Sequence, residues 1–153
     1  MDEPGEALIA ALQGHQILGL DTSVFIYHFQ AHPRYGSLTS AVLAPVQRGE
    51  FQAVASVLAI MEITVQPWRL NESPVAREYE MLLVNFPHLT LADVNRAITR
   101  RAARLRATHR LRTADALHLA TALHHGATVF VTNDKGLRRM QQDIGIILLD
   151  DFL

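Results

Sequence analysis

The chain has 153 residues, of which 49% are hydrophobic and 19% charged, with a net charge of −1 at pH 7. These values indicate a globular fold that buries roughly two-thirds of its unfolded surface, and they exclude a disordered chain or a fibrous repeat. No cysteine is present, which excludes disulfides, zinc–thiolate sites and a cysteine nucleophile, so a reducing, cytoplasmic setting is expected. No apolar run approaches the ~20 residues of a membrane-spanning helix, and the acidic N-terminus predicts neither a secretory signal nor a transit peptide.

Short apolar strands alternate with amphipathic helices along the first half of the chain. The segment that ends before Pro67 is predicted to be a helix capped by Ser56, and Ser73 is predicted to cap the next helix, with Pro74 in its first turn. The predicted elements, in chain order, are a strand at 16–20, a helix from 21 to about 29, a helix at 40–48, a strand at 51–55, a helix at 57–65 and a helix from 74.

The second half continues the same alternation. A helix is expected from about Asp93, and Thr113 is predicted to cap another helix that Gly126 ends. The remaining elements are strands at 88–91 and 127–131, a helix start within 132–140 and a last strand at 144–152. This order predicts an α/β fold with three α/β/α layers around a central parallel sheet. We expect a single domain over residues 1–153, in which residues 1–15 form an N-terminal extension.

Four acidic residues lie in otherwise apolar surroundings. Asp21 directly follows the first strand, and Asp134 follows the fourth by two residues. Glu62 lies on a helix between isoleucine and methionine neighbours, and Asp115 lies in the first turn of a helix. Ligands of open parallel sheets bind at the carboxyl ends of the strands, where the strand order switches. Positions far apart in sequence can therefore meet at that edge.

Clustered carboxylates repel one another, and a divalent cation removes that penalty. Mg²⁺ and Mn²⁺ take oxygen ligands and leave positions for water and phosphate, so the four acids predict a metal site. The hydroxyls of Thr22, Ser23 and Thr132 are candidates for orienting the carboxylates. Each aspartate also has an ordinary structural explanation, namely a helix N-cap for Asp21, the helix dipole for Asp115 and a turn for Asp134.

Seven of the fourteen lysine and arginine residues are arginines between positions 96 and 112. This stretch is either a phosphate-contacting surface or a solvated helix face. Arg100, Arg104 and Arg112 are the candidates for contact with a nucleic acid. His118 lies one turn after Asp115 and can face the same pocket, although a buried packing role is the favoured interpretation.

The motifs around the four acids together resemble a PIN domain, and more narrowly the VapC-type toxin ribonucleases of bacterial toxin–antitoxin pairs. The resemblance extends from about Ile17 to the C-terminus and is carried, in order, by LDTSVFIY, SVLAIMEI, TADALHLATAL and TNDKGL. It implies a metal-dependent endoribonuclease that binds Mg²⁺ or Mn²⁺. Such proteins are commonly homodimers, and a cognate antitoxin holds the toxins inactive.

Carried over by position, the resemblance implies that Asp21, Glu62, Asp115 and Asp134 are the catalytic and metal-binding acids, with Ser23 and Thr132 as pocket hydroxyls. Water then attacks the phosphodiester while one carboxylate accepts its proton. The chain departs from the pattern in its first fifteen residues and at Gly136 and Leu137, where relatives often carry an acid and a phenylalanine.

Other functions remain to be weighed against this one. Asp21 is followed by Thr22 and Ser23, which disfavours a receiver-type phosphoacceptor domain and a haloacid-dehalogenase-like phosphatase, since each requires a further acid there. The first predicted turn has no glycine-rich motif, which disfavours a dinucleotide enzyme. The open alternatives are a housekeeping RNA-processing nuclease and a PIN module that binds RNA or protein without cleaving.

Overall fold

Five β-strands form one sheet in the computed structural model, which describes residues 5–153. Residues 1–4 of the expected N-terminal extension lie outside the described part. The strands are β1 (Ile17–Leu20), β2 (Gln52–Ser56), β3 (Leu89–Ala92), β4 (Val129–Thr132) and β5 (Gly145–Leu148). All pairings are parallel, in the order β3-β2-β1-β4-β5, and Leu18 of β1 lies opposite both Ala53 and Val129.

Helices connect the strands and cover both faces of the sheet. Within residues 5–153 the α-helices are α1 (Glu6–Leu12), α2 (Thr22–Phe29), α3 (Gly36–Gln47), α4 (Leu58–Arg69), α5 (Ser73–Val84), α6 (Arg96–His109) and α7 (Thr113–His124). Two 3₁₀ helices, Lys135–Met140 and Leu149–Phe152, flank β5. The predicted α/β fold with a central parallel sheet is therefore confirmed. Within the described residues, no helix is both long and apolar enough to span a bilayer.

The sheet separates two apolar cores because alternate strand residues point to opposite faces. Leu18 and Leu20 of β1 belong to the core shared with α1 to α5. Val54 of β2 and Phe130 of β4 belong to the core shared with α6 and α7. Residues 8 and 12 of α1 are fully buried in the first core, so the described part of the predicted extension packs on the fold.

Gly19 determines how closely α7 approaches the central strand. A Cβ atom at this position would lie 2.7 Å from the Cβ of Ala122 and 2.9 Å from Cδ1 of Phe130. The lack of a side chain thus lets α7 lie directly on β1, the strand that Asp21 follows. This packing brings the N-terminal turn of α7 to the edge of the sheet where the candidate acids were expected.

Three predicted helix boundaries were wrong. The helix expected at 40–48 begins four residues earlier, at Gly36. The helix expected to stop before Pro67 continues to Arg69. Pro67 lies in the last turn, where its missing N–H removes only one hydrogen bond, and its side chain is buried. The helix expected from Asp93 begins at Arg96, because the Asn95 side chain caps it by accepting a hydrogen bond from the Ile98 N–H at 2.9 Å.

Smaller differences concern caps and chain ends. Ser73 and Thr113 are the first residues of their helices rather than the caps. The helix start predicted within 132–140 is the first 3₁₀ helix, and the last strand ends at Leu148 before the second one. No helix was predicted in the N-terminal extension, where the structure has α1; from β1 onward the order of strands and helices is as the sequence predicts it.

Candidate acidic active site

The strand order reverses between β1 and β4. The chain builds β1, β2 and β3 outward on one side and then returns to place β4 on the other side of β1. At the carboxyl ends of this central pair, the Asp21 N–H donates to the carbonyl oxygen of Val131 at 3.0 Å. Asp21 follows β1, and Asp134 follows β4. Both therefore lie at the switch point, where open α/β sheets bind ligands.

Asp21 is held on both carboxylate oxygens. Its Oδ1 accepts a hydrogen bond from the Thr22 N–H at 2.8 Å, which caps α2, and its Oδ2 accepts one from the Thr132 hydroxyl at 2.6 Å. Burial nevertheless raises the pKa of Asp21 above its usual value, and the charge of Glu62 adds to this, while His118 and the hydrogen bonds oppose it. Asp21 is thus a fixed carboxylate whose negative charge is poorly solvated.

Glu62 lies on α4 and receives two hydrogen bonds on the same oxygen. Its Oε1 accepts from the Thr22 hydroxyl at 2.8 Å and from Nε2 of His118 at 2.5 Å. Burial acts to raise the pKa of Glu62, but the hydrogen bond and charge of His118, with the Thr22 hydrogen bond, outweigh it and lower the pKa. Glu62 is therefore held ionised, and its second oxygen accepts no hydrogen bond from any of the described residues.

His118 links α7 to this carboxylate. Its side chain is only 4% exposed. Burial alone lowers the pKa of His118, but the Glu62 hydrogen bond and the charges of Asp21, Glu62 and Asp115 raise it above the usual value. The packing role that the sequence favours for His118 misses its hydrogen bond to Glu62. The sequence signal for a position in the site was that His118 lies one turn after Asp115. Its Nδ1 is buried and has no hydrogen-bond partner among the described residues.

Asp115 and Asp134 form the more open side of the site. Burial raises the pKa of Asp115, and the charges of Asp134 and Asp21 raise it further, while His118 and Arg112 oppose the shift. Asp134 accepts a hydrogen bond from the Gly136 N–H at 2.9 Å and caps the first 3₁₀ helix. Its own N–H donates to the Thr132 hydroxyl at 3.1 Å. Thr132 thus connects Asp21 with the backbone of Asp134.

A cavity of about 190 Å³ opens beside these two aspartates. Its lining combines two acidic and three basic side chains with a short apolar and glycine wall: Asp115, Asp134, Arg110, Arg112, Arg139, Leu111, Gly136 and Leu137. The cavity therefore joins the acidic site to a basic rim. Asp21 and Glu62 do not line it.

The other sequence candidates have different positions. The hydroxyl of Ser23 is buried without a hydrogen-bond partner among the described residues, so Thr22 rather than Ser23 contacts a carboxylate there. Arg112 lines the cavity beside Asp115, whereas Arg100 is exposed on α6 and Arg104 lines a separate cavity with Arg101 and His109. Arg110 and Arg139 line the acidic cavity as well, although no helical spacing marked them.

The donor set suits a hard divalent cation, because every one of the four acids offers carboxylate oxygen. The charges of Asp134 and Asp21 raise the pKa of Asp115, which shows that the three carboxylates repel one another. A divalent cation would neutralise this negative charge. Within residues 5–153, however, no three acidic, histidine or cysteine side chains are close enough together to hold an ion as they stand. Binding therefore requires rotation of side chains, which the hydrogen-bonding pattern permits for Asp115.

Comparison with known proteins agrees with this geometry. Residues 19–142 match the model of the PIN domain family. No curated protein gives a significant match.

Three solved structures share the fold, and each is covered over 98% of its own chain. A toxin–antitoxin complex from Klebsiella pneumoniae has a TM-score of 0.64 and 20% identity over 88% of this chain. VapBC2 from Rickettsia felis, bound to a DNA fragment from its promoter, has a TM-score of 0.67 and 17% identity over 87%. FitAcB from Neisseria gonorrhoeae has a TM-score of 0.63 and 20% identity over 88%. With all four acids on the matched segment, the chain belongs to the PIN domain family, a family of nucleases.

Proposed function

We propose that the protein is a metal-dependent endoribonuclease that hydrolyses RNA phosphodiester bonds, and that it is the toxin of a VapBC-type toxin–antitoxin pair. The observation that carries the nuclease proposal is the arrangement of the acids around the central strands of a PIN fold. Asp21 and Asp134 follow β1 and β4, Glu62 accepts a hydrogen bond from Thr22, and the charges of Asp21 and Asp134 act on Asp115. Burial and mutual repulsion raise the pKa of both Asp21 and Asp115, which is the electrostatic situation that a bound cation relieves.

Mg²⁺ or Mn²⁺ is the proposed cofactor, with Asp21, Glu62, Asp115 and Asp134 as its ligands. When bound, the ion supplies a Lewis acid that neutralises charge on the phosphodiester. The Thr132 hydroxyl and the Thr22 N–H keep the Asp21 carboxylate in one orientation. Thr22 and His118 do the same for Glu62, and both bonds fall on one oxygen, which leaves the other available.

Asp115 is the proposed proton acceptor for the attacking water. It lines the open cavity, where a carboxylate oxygen can accept a proton from water. No other side chain donates a hydrogen bond to it among the described residues, so its oxygens are available to water. RNA is expected to reach the site as a single strand or loop, because an A-form duplex hides its base edges. This substrate would place the protein in the cytoplasm.

An antitoxin is the proposed protein partner, and the solved structures named above include toxin–antitoxin complexes. Apolar side chains exposed on α4 and α5 support a surface for such a partner. They are Met61, Val65 and Trp68 on α4, and Met81, Leu82 and Val84 on α5. A second copy of the chain is also proposed, as the resemblance implies. Light scattering of the chain alone and with the product of the neighbouring gene tests both assemblies.

The nuclease proposal is tested by incubating the purified chain with a pool of structured and single-stranded RNAs. Reactions contain Mg²⁺, Mn²⁺ or EDTA, beside Asp21→Asn and the matched control Asp93→Asn, which changes an exposed aspartate outside the site. We expect metal-dependent cleavage by the wild type and the control, and none by Asp21→Asn. If none of the three folded proteins cleaves RNA with either metal, the nuclease proposal is refuted and a PIN module that only binds remains. If Asp21→Asn cleaves as well as the wild type, the role of Asp21 is refuted.

The toxin assignment is tested separately from the nuclease activity. Induced expression of the chain should arrest growth, and co-expression of the adjacent small DNA-binding protein should restore it. Cleavage in vitro without arrest in the cell would instead favour a housekeeping RNA-processing nuclease. Sequencing the RNA ends produced in either case would identify the target.

A further inference from the structure

We infer that Arg110, Arg112 and Arg139 form a subsite that binds an RNA phosphate next to the one that is cleaved; this inference rests on the proposed function. The three arginines line the same cavity as Asp115 and Asp134. At about 190 Å³ the cavity has the volume of roughly six water molecules, enough for a phosphate group and part of its hydration. A phosphate bound there would lie beside the two open acids.

None of the guanidinium groups of this subsite is in an ion pair within residues 5–153, although the charge of Arg112 acts on Asp115. By contrast, Arg48 and Arg138 pair with Glu50 and Asp151. Three positive groups against two aspartates leave the rim with an excess of positive charge. An arginine's planar fork matches two phosphate oxygens at once. The cavity is therefore suited to an anion that approaches the carboxylates, which is what a phosphodiester must do.

The backbone holds two of these arginines in place. Arg110 ends α6 in the left-handed conformation, with φ 54° and ψ 42°, where glycine is preferred. Leu111 is buried between it and Arg112, and its carbonyl accepts a hydrogen bond from Nε of Arg106 at 3.0 Å. A buried residue thus anchors the short connection, and arginines stand on either side of the anchor. Strained conformations of this kind persist when the surroundings fix them.

The third arginine comes from a segment that is distant in sequence from the other two. Arg139 lies on the first 3₁₀ helix, between the ion-paired Arg138 and the fully buried Met140. Gly136 of the same segment lines the cavity without a side chain, and a Cβ there would lie 3.1 Å from Oδ1 of Asp134. Because Gly136 bears no acid, Asp115 and Asp134 are the only acidic residues among those described that line the cavity.

Charge compensation of the acids is the competing role for these arginines, and Arg112 does oppose the pKa shift of Asp115. Binding measurements without metal distinguish the two roles. The probe is a fluorescein-labelled single-stranded RNA of about 12 random nucleotides. Its anisotropy is followed in EDTA, where no metal-dependent cleavage interferes, at salt concentrations from about 0.05 to 0.2 M.

Three variants remove the charges one at a time, namely Arg110→Gly, Arg112→Gln and Arg139→Gln. Each is expected to weaken binding roughly tenfold and to reduce the slope of log K against log salt by about 0.7, the value for one lost contact on a single strand. Arg110→Gly has a second readout, because glycine suits the left-handed backbone and its melting temperature should not fall. Arg138→Gln, next to Arg139 but paired with Asp151, is the matched control and should bind like the wild type.

Unchanged affinity and salt slope in all three variants would overturn the subsite, and so would weaker binding with an unchanged slope, since the contact would then not be ionic. The cleavage assay separates this result from the proposed function. If the wild type cleaves RNA but the variants bind normally, the subsite is wrong and the nuclease stands. If the variants lose binding as expected and no metal supports cleavage, the subsite stands and the nuclease proposal fails.

Discussion

The two halves of the acidic site differ in how their carboxylates are held. Asp21 and Glu62 accept hydrogen bonds from threonine hydroxyls, a backbone amide and His118, so their orientations are set by the protein. Asp115 accepts no hydrogen bond from another side chain among the described residues, and Asp134 accepts one from a backbone amide. We refer to these pairs as the bonded half and the open half.

This difference indicates a division of labour. The bonded half presents fixed negative charge deep at the ends of the central strands. The open half faces the arginine-lined cavity and carries repulsion that no side chain relieves completely. A site that must exchange substrate and release product benefits from having its adjustable groups on the solvent side. The following predictions remove one half at a time or measure how strongly they are coupled.

Removing the charge at Asp21 should have the largest effect. We expect Asp21→Asn to lower the cleavage rate by about 10³-fold or more, because loss of metal-centred stabilisation is worth several kcal/mol. Its melting temperature at neutral pH should not fall, since burial makes the aspartate charge unfavourable. Single-turnover kinetics and a thermal melt measure both. Cleavage within tenfold of wild type would show that the bonded half is not required.

Removing the hydrogen bond from His118 to Glu62 should have the next largest effect on cleavage. We expect His118→Leu to reduce cleavage about 10- to 100-fold, as is typical for a residue that orients a ligand. His118→Gln should retain more activity, because its amide can donate where Nε2 did. His124→Leu, an exposed change on the same helix, is the control. Equal losses in the leucine and glutamine variants would indicate a packing role rather than an orienting one.

Forcing α7 away from β1 should separate the two halves. Gly19→Ala puts a methyl group within 2.7 Å of the Ala122 Cβ, so we expect it to destabilise the fold by about 1–3 kcal/mol. The shift of α7 should also weaken the His118–Glu62 contact and lower activity. Denaturant unfolding measures the first effect, and cleavage by the folded fraction measures the second. Stability equal to wild type would mean that α7 adapts without moving the site.

The pH dependence of stability should be smaller and has a defined sign. Without metal, the contribution of His118 is complete below its ordinary pKa near 6.5 and is lost as pH rises through its raised value. The raised pKa values of Asp21 and Asp115 act in the same direction, at lower pH, because their ionised forms are disfavoured. Glu62 acts oppositely, and its contribution is lost as pH falls through its lowered pKa.

We therefore expect the unfolding free energy to decline above about pH 6.5, by at most ~1.4 kcal/mol per pH unit for one proton. Urea titrations from pH 6 to 9 in EDTA measure the slope. His118→Leu should flatten it, whereas His124→Leu should not. A slope that survives in His118→Leu would assign the effect to other groups.

The sequence predicted the sheet and the four acids because each leaves a local signal. Asp21 directly follows an apolar strand, Asp134 follows another by two residues, and Asp115 lies at a helix start, so local positions indicated a shared edge. The role of His118 left only a weak signal, since its partner Glu62 is 56 residues away and on another helix. The arginine-lined cavity could not be predicted for the same reason, because Arg139 is distant in sequence from Arg110 and Arg112. Pro67 led to a wrong prediction of the end of α4. The hydrogen bond that the helix loses at this proline is compensated by burial of its side chain, which only the tertiary structure provides.

The hydrogen bond between Thr132 and Asp21 spans 111 residues of chain. The central strand is synthesised early, but β4, its second neighbour, is synthesised after all seven described α-helices and three of the five strands. Long-range pairings of this kind form late in folding. A growing chain therefore carries its first acid for most of its synthesis without the residues that complete the centre. The order of the strands therefore postpones assembly of the four acids until β4 and the segment after it have been synthesised.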